Sequence, residues 1–344
     1  MSSNVRIALD AMGGDNAPDI VVSGASIARK RYPNLNLSFI GDSNKIRVLI
    51  KKYKNLSNAK IIHADDVVGS ETRPAQALRH GKKTSMWLAV NEVASKNADA
   101  IVSAGNTGAL MAISKLQLRM INGVTRPAIA GFIPTLKGLS CMLDLGANIS
   151  CDADQLLQFA IMGTAFSAAV ENITNPSVGL LNVGTEASKG DGVLRQAGKL
   201  LTESPLNFIG NVEGNDIFYG KVDVVVCDGL TGNVALKSSE GLAQLIRHHL
   251  KAEFSRSLYG KIASIVSLPI FKRISNILDH RTYNGAALVG LDGIVFKSHG
   301  SADEFAFTCA IKRAAHAVEN DLNGKIRTAI IGEQSCRKNL SLVS

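Results

Sequence analysis

Short runs rich in Val, Ile, Leu and Phe alternate along the chain with longer stretches in which apolar residues recur every three to four positions. The first kind reads as buried strand and the second as amphipathic helix, so their alternation predicts a mostly parallel sheet with helices on its faces. Strand-like runs are Val5–Leu9, Leu35–Ile40, Lys60–His63, Ala100–Ser103, Ala128–Ile133, Cys141–Leu145, Val178–Asn182, Phe208–Ile209, Val222–Cys227 and Gly293–Lys297. The clearest helical stretches are Asn44–Lys54, Gln76–Lys96, Thr107–Met120, Ala153–Val170, Asp191–Leu201, Asn233–Phe254 and Ala302–Glu319. Ser301-Ala302-Asp303-Glu304 has the form of a capping box for the last of these. Ala153–Val170 is apolar on nearly every side, which places it between layers or subunits.

No internal repeat, low-complexity block or linker interrupts this pattern. It predicts one α/β unit over residues 1–322, either undivided or in two lobes around a cleft, with a helical excursion over 233–285 for dimerisation or membrane contact. Periodicity fades over 323–344, which reads as a loose tail.

The 344 residues are 46% hydrophobic and 19% charged, a composition that builds a sizeable core and excludes disorder. Only 5% are aromatic, with one Trp, too few for a lectin-like platform or a stacking surface for nucleic acid. Lys and Arg outnumber Asp and Glu by 38 to 29, a net charge of +9 that favours anionic partners: nucleic acid, lipid, phosphorylated metabolites or an acidic protein. Five dispersed cysteines, none in a C-x-x-C, fit reduced thiols and a cytosolic setting. The first residues show no secretory signal, and the apolar run Ile262–Phe271 is ten residues with a proline, short of the roughly 20 that cross a bilayer; closed at both ends by basic residues, Lys261–Arg273 reads as an apolar loop near the tip of two projecting helices.

Five strand-like runs stop at segments of Gly with Asn, Ser, Thr or Asp: Ser103–Gly108, Asp144–Asn148, Asn182–Glu186, Asp228–Asn233 and Lys297–Ser301. One such segment is what any strand-to-helix turn requires. Five together point to an anion site, with glycine amides and helix N-termini converging on one edge of a parallel sheet. The first turn, Asp10–Pro18, is glycine-rich but carries neither a dinucleotide nor a P-loop fingerprint. The seven histidines form no H-x-x-x-H and no cysteine cluster accompanies them, so no zinc motif is present. G-x-S-x-G is absent too. The polar groups that remain, Asn106, Asn148, Lys189, Thr231, Asn233, Lys297 and His299, suit anion binding and oxyanion stabilisation by a reaction whose nucleophile is itself the bound anion.

The segments Leu9–Asp15 (LDAMGGD), Ser103–Ala109 (SAGNTGA), Leu143–Asn148 (LDLGAN), Asn182–Gly190 (NVGTEASKG), Val226–Lys237 (VCDGLTGNVALK) and Lys297–Asp303 (KSHGSAD) closely resemble, in order, the bacterial phosphate acyltransferases of phospholipid synthesis. The resemblance runs from about Val5 to about Glu319, with Ala187 and Leu230 departing from the family's usual acidic residue and Phe. It implies transfer of a fatty acyl group from acyl carrier protein to inorganic phosphate in a homodimer with no cofactor or metal. The acyl phosphate would pass to a membrane glycerol-3-phosphate acyltransferase. The implied fold is the Rossmann-like three-layer α/β/α type shared with phosphate acetyltransferase and isocitrate-dehydrogenase-like enzymes. The implied location is cytoplasmic, peripherally associated with an anionic membrane surface, and nucleic acid drops out as a partner.

Within that chemistry the residues suggest phosphate around Asn106, Thr107, Thr231 and Asn233, Lys189 offsetting charge, and His299 orienting phosphate or stabilising the oxyanion. Asp144, Asn148, Asn182, Glu213 and Asp228 are second choices, since capping accounts for each almost as well, and Lys297 is a further substrate-binding candidate. Basic segments at Arg29–Arg31, Lys51–Lys54 and Arg247–Lys251 fit either an acidic carrier or ordinary solvated helix faces.

Overall fold

The computed structural model describes the backbone of residues 4–343, and the side chains of all of these except 271, 272, 274–278, 280 and 337–343. The chain begins with β1 (Arg6–Asp10), α1 (Asp19–Arg31), β2 (Asn36–Gly41), α2 (Ser43–Ile50) and β3 (Lys60–His63). Then come α3 (Pro74–His80), α4 (Ser85–Ala94), β4 (Ala100–Ser103) and α5 (Thr107–Leu118). The middle holds β5 (Ala128–Thr135), β6 (Gly138–Leu143), α6 (Ala153–Val170), β7 (Ser177–Leu181), α7 (Gly192–Glu203), β8 (Asn207–Val212), α8 (Gly214–Tyr219) and β9 (Val224–Val226). It ends with α9 (Gly229–Arg256), α10 (Leu258–Leu278), β10 (Ala286–Val289), β11 (Ile294–Lys297), α11 (Glu304–Glu319) and α12 (Leu322–Val343).

All eleven strands form one sheet in the order β3-β2-β1-β4-β11-β10-β5-β6-β9-β7-β8. Neighbouring residues on each strand face opposite sides, and both sides are covered, so the central strands are apolar throughout. Leu9, Val102, Phe132, Leu143 and Val226 face a layer formed by α1, α6, α11 and the start of α12. Ala8 and Ile101 face α3, α4 and α5, while Ile133, Met142 and Val225 meet α8 and the first turns of α9. The three-layer α/β/α architecture expected from the sequence is the one observed.

The sheet is mixed in a way that matters for the site. β1, β2, β3, β4 and β11 run parallel. β10 is antiparallel to both β11 and β5, and β5 is antiparallel to β6. β6, β9, β7 and β8 then run parallel to one another. The half that starts at β6 therefore points opposite to the half that contains β1, β4 and β11.

Several local expectations are corrected. Gln76–Lys96 is two helices, broken by a 3-10 turn at Gly81–Lys83, after which the Thr84 hydroxyl accepts from the Trp87 amide and starts α4. The helix expected over Asn44–Lys54 stops at Ile50, and β10 was not foreseen. The cap of α11 is Asp303, which accepts from the Ala306 amide; Ser301 turns instead to His299. Residues 323–344 are no loose tail up to Val343: α12 buries Leu322, Ile326 and Ile330 in the main core.

The apolar segment Lys261–Arg273, expected as a loop at the tip of two helices, is helical within α10, which continues through Pro269. The side chains of Phe271, Lys272, Ile274, Ile277 and Leu278 lie outside the described residues. α9 and α10 pack on each other around Ser257, and from residue 241 to 253 every position of α9 is exposed.

Candidate active site

The glycine-rich loops gather in two groups, not one, because the sheet reverses. The first lies at the C-terminal ends of β1, β4 and β11. Its centre is the fully buried Asp10, whose two carboxylate oxygens accept from Ser85 Oγ at 2.6 Å and Ser103 Oγ at 2.7 Å. Burial pushes the Asp10 pKa up, against the pull of these hydroxyls and of the Met12 and Gly13 amides. The loops press closely here: a Cβ on Gly14, whose φ is +102°, would lie 2.9 Å from Ala104 Cβ and 3.0 Å from the Gly300 carbonyl.

Lys297 ends β11 and sends its ammonium to the carbonyls of Ala104, at 3.2 Å, and Ser298. Burial pushes its pKa down to about 8, with Asp10 and Asp15 opposing. The His299 amide donates to Asn284 Oδ1 at 2.9 Å, and its ring Nδ1 accepts from the Ser301 amide at 3.3 Å. The Ser301 hydroxyl lies 2.9 Å from the same Nδ1, so Ser301 fixes the orientation of the ring. Asn284, absent from the sequence candidates, also donates to Ser298 Oγ and the Ala306 carbonyl, both at 2.8 Å, and so fixes this loop. Asn106 Oδ1 caps α5 through the Ala109 amide, and its Nδ2 donates to the Ser70 and Thr72 carbonyls. Thr107, beside it, is exposed and makes no side-chain hydrogen bond among the described residues.

The second group lies at the ends of β6, β9 and β7. Buried Asp144 accepts from the amides of Ile129 at 2.9 Å, Ala147 at 3.0 Å and Asn148 at 2.7 Å, and from Asn148 Nδ2 at 2.8 Å. Asn148 also donates to the Pro127 carbonyl, and its own carbonyl receives the Gly229 amide at 2.7 Å. Asp228 caps α9, one oxygen on the Thr231 amide at 2.8 Å and the other on Thr231 Oγ1 at 2.9 Å. Asn182 closes the loop Asn182–Gly190, accepting from the Val183 amide and donating to the Lys189 carbonyl at 3.2 Å. Glu213 caps α8.

Two exposed donors of this group, Lys189 and Asn233, have no side-chain partner among the described residues, and Thr185, Glu186 and Ser188 of the same loop are exposed beside Lys189. Lys189 forms no ion pair among the described residues, and Asn233 lies against Gly146, about 3.7 Å from its Oδ1 to a Cβ placed there, with no side-chain hydrogen bond. Arg126, just before β5, is a cation the sequence reading missed. It lies near enough to pull down the Cys151 thiol, which burial and then Asp144 and Asp228 push up to about 12. Its only sequence signal was its place next to Pro127. Burial likewise pushes the Cys141 and Cys227 thiols up from their ordinary range.

Asn106 and Thr107 follow β4 while Thr231 and Asn233 follow the oppositely directed β9, so the residues of the single cradle expected from the sequence belong to the two groups. Both groups border one face of the sheet. α5 covers that face on one side and the start of α9 on the other, and half-buried Leu145 packs against both clusters, over Gly131 of β5. Two open clefts, about 120 Å³ beside α6 and α12 and about 260 Å³ beside α6 and β8, include none of the candidate residues.

The overall architecture is similar to the EutD phosphotransacetylase of Staphylococcus aureus (TM-score 0.60, 18% identity, 91% of this chain and 94% of that one). A phosphotransacetylase of Streptococcus pyogenes superposes equally well (TM-score 0.62, 19% identity, 93% and 95%). In sequence, the chain is 51% identical over 330 residues to the phosphate acyltransferase of Rhodospirillum centenum, covering 95% of this chain and 93% of that one. It is 48% identical over 316 residues to the phosphate acyltransferase of Alkalilimnicola ehrlichii, covering 91% and 92%. With a match to the fatty acid synthesis protein family across residues 5–325, the chain belongs to that family.

Proposed function

We propose that this protein transfers a fatty acyl group from acyl carrier protein to inorganic phosphate, giving acyl phosphate and free carrier. The observation that carries this reading is the pair Lys189 and Asn233, an exposed cation and an exposed amide donor with no side-chain partner among the described residues, in a group of loops where Asp144, Asn148, Asn182, Asp228 and Thr231 are engaged. A phosphate oxygen attacks the thioester carbonyl and the C–O bond forms. The tetrahedral oxyanion then collapses, the C–S bond breaks, and the carrier's thiolate leaves and takes up a proton. A thioester is already activated, so the protein's task is to hold the anion against the carbonyl and to offset charge. Lys189 and Asn233 do this from one border of the face, with Arg126 a further cation. Thr107 and His299 face the same reaction from the other. Asn106, Asn148, Asn182, Asp228, Thr231 and Lys297 shape the loops around it.

The same reading extends to the whole chain. Residues 1–322 act as one catalytic unit and the excursion over 233–285 serves a homodimer and peripheral contact with an anionic membrane on the cytoplasmic side, where a membrane acyltransferase takes up the product. No helix among the described residues is long and apolar enough to cross a membrane. The exposed basic segments at Arg29–Arg31, Lys51–Lys54 and Arg247–Lys251 suit an acidic carrier.

The test is loss of the thioester from acyl carrier protein, followed with and without phosphate. Phosphate-dependent loss in the presence of a chelator is the expected result; loss indifferent to phosphate, or abolished by the chelator and restored by magnesium, overturns the reading.

A further inference from the structure

α9 carries more than Thr231 and Asn233 at its start. Leu230 and Val234, one turn apart, are 56% and 55% exposed. The same outward line passes the aliphatic stem of exposed Lys237 and then Gly241, where an added Cβ would meet nothing, and reaches the exposed Leu245. Ala235, Leu236 and Ser239 are the half-buried, inward side of the helix, so this line is not the margin of the core.

Two further apolar side chains stand beside its beginning. Ile149, 77% exposed, follows the Asn148 that holds the Gly229 amide, and Val183, 79% exposed, opens the loop that ends with Lys189. Scattered apolar residues on a surface need no explanation, but Leu230, Val234 and Ile149 stand together at the start of the helix beside a polar loop group, and such a grouping marks a binding surface. Residues 230–245 rise about 22 Å along the helix, the reach of an extended long-chain acyl group.

We propose that this stripe seats the fatty acyl chain, with the thioester carbonyl at Lys189 and Asn233 and the chain carbons lying on Leu230 and Val234 and onward toward Leu245. The proposal rests on the acyl-transfer reading and adds to it the residues that set chain-length preference. Each methylene taken out of water favours binding about fourfold, so a chain that lies along the stripe gains with length until the stripe ends.

The test compares kcat/KM for palmitoyl and butyryl thioesters of acyl carrier protein, at saturating phosphate, in the wild type, in Leu230→Ser/Val234→Ser and in Val234→Ile, with molecular mass followed by light scattering. The double variant is expected to lose about tenfold more with the palmitoyl donor than with the butyryl donor at unchanged mass, and Val234→Ile to keep the wild-type ratio. An unchanged ratio in the double variant, or a change of mass that accounts for the loss by exposing a subunit contact, overturns the proposal alone. A wild type that transfers neither acyl group to phosphate overturns the underlying reading.

Discussion

Asn148 and Asn233 carry the same side chain in the same group of loops, and their surroundings divide their work. Asn148 is buried and spends its amide on Asp144 and the Pro127 carbonyl; Asn233 is exposed and spends its amide on no partner among the described residues. Asn148→Ala therefore leaves buried acceptors unpaired and is expected to cost about 1–3 kcal/mol of stability in denaturant unfolding. Asn233→Ala and Lys189→Ala are expected to keep the wild-type midpoint. Each removes a charge-assisted hydrogen bond of about 1.5–3 kcal/mol, seen as a raised KM for phosphate or a lowered kcat, some 10- to 150-fold in kcat/KM. Wild-type kinetics in both folded variants would move the phosphate elsewhere. The sequence offered all these asparagines alike, because what distinguishes them is a carbonyl 21 positions away that only folding brings near. Lys297 gives a pH test of the other loop group. Its pKa falls from an unfolded value of about 10.4 to about 8, so between those values the unfolded chain binds more protons and stability rises with pH. Lys297→Met removes the cost of burying the charge. It is expected to be more stable than wild type at pH 7, by on the order of 3 kcal/mol at most, with the gap closing toward pH 10 in urea titrations. A less stable variant at pH 7 would mean that the bonds to Ala104 and Ser298 outweigh the desolvation.

Elements whose signal is local were legible, and those that depend on distant partners were not. Ala153–Val170 is helical over the expected span, because its apolar surface is continuous and Asp152 with Gln155 closes a capping box at its start. β10 is four residues between Gly285 and Gly290, both at positive φ, and such a segment reads as a turn until β11 and β5 pair with it from either side. The α10 segment resembled a loop because an apolar run holding Pro269 has no partner within the sequence to suggest a helix. α12 shows the same limit from the other direction. Its polar and apolar residues mix, yet Ile326 and Ile330 reach the core with 0% and 3% exposure. Ile330→Ala is expected to destabilise the protein by about 2–5 kcal/mol in denaturant unfolding, through lost burial and the cavity left behind. An unchanged midpoint would mean that the segment is dispensable, as a tail would be.

At the scale of the molecule, the reversal of the sheet is what the sequence concealed most. A strand's residues record which faces are buried but not which way the strand runs relative to its neighbours. The one local signal was the two-residue turn Leu136-Lys137 between β5 and β6, and Pro134 obscured it by making β5 look finished early. The reversal sets the two loop groups on either side of a shared face and sends α9 outward into the pair it makes with α10. That pair carries a run of exposed apolar side chains, with Ile262, Ile265, Val266, Leu268 and Ile270 between 52% and 73% exposed. A surface this apolar is costly in water and requires cover by a second copy or by lipid. Lys261 and Arg273 flank it, and basic residues beside an apolar helical face favour an anionic bilayer, where the apolar side chains enter only the interfacial layer. Ile265→Glu/Leu268→Glu puts two carboxylates where those side chains would sit. The expected outcome is loss of cosedimentation with anionic phospholipid vesicles, at unchanged mass by light scattering and unchanged phosphate-dependent transfer from a carrier thioester. Dissociation into monomers would assign the same residues to the contact between subunits, because a charge introduced there opposes burial against a partner as strongly as it opposes entry into lipid.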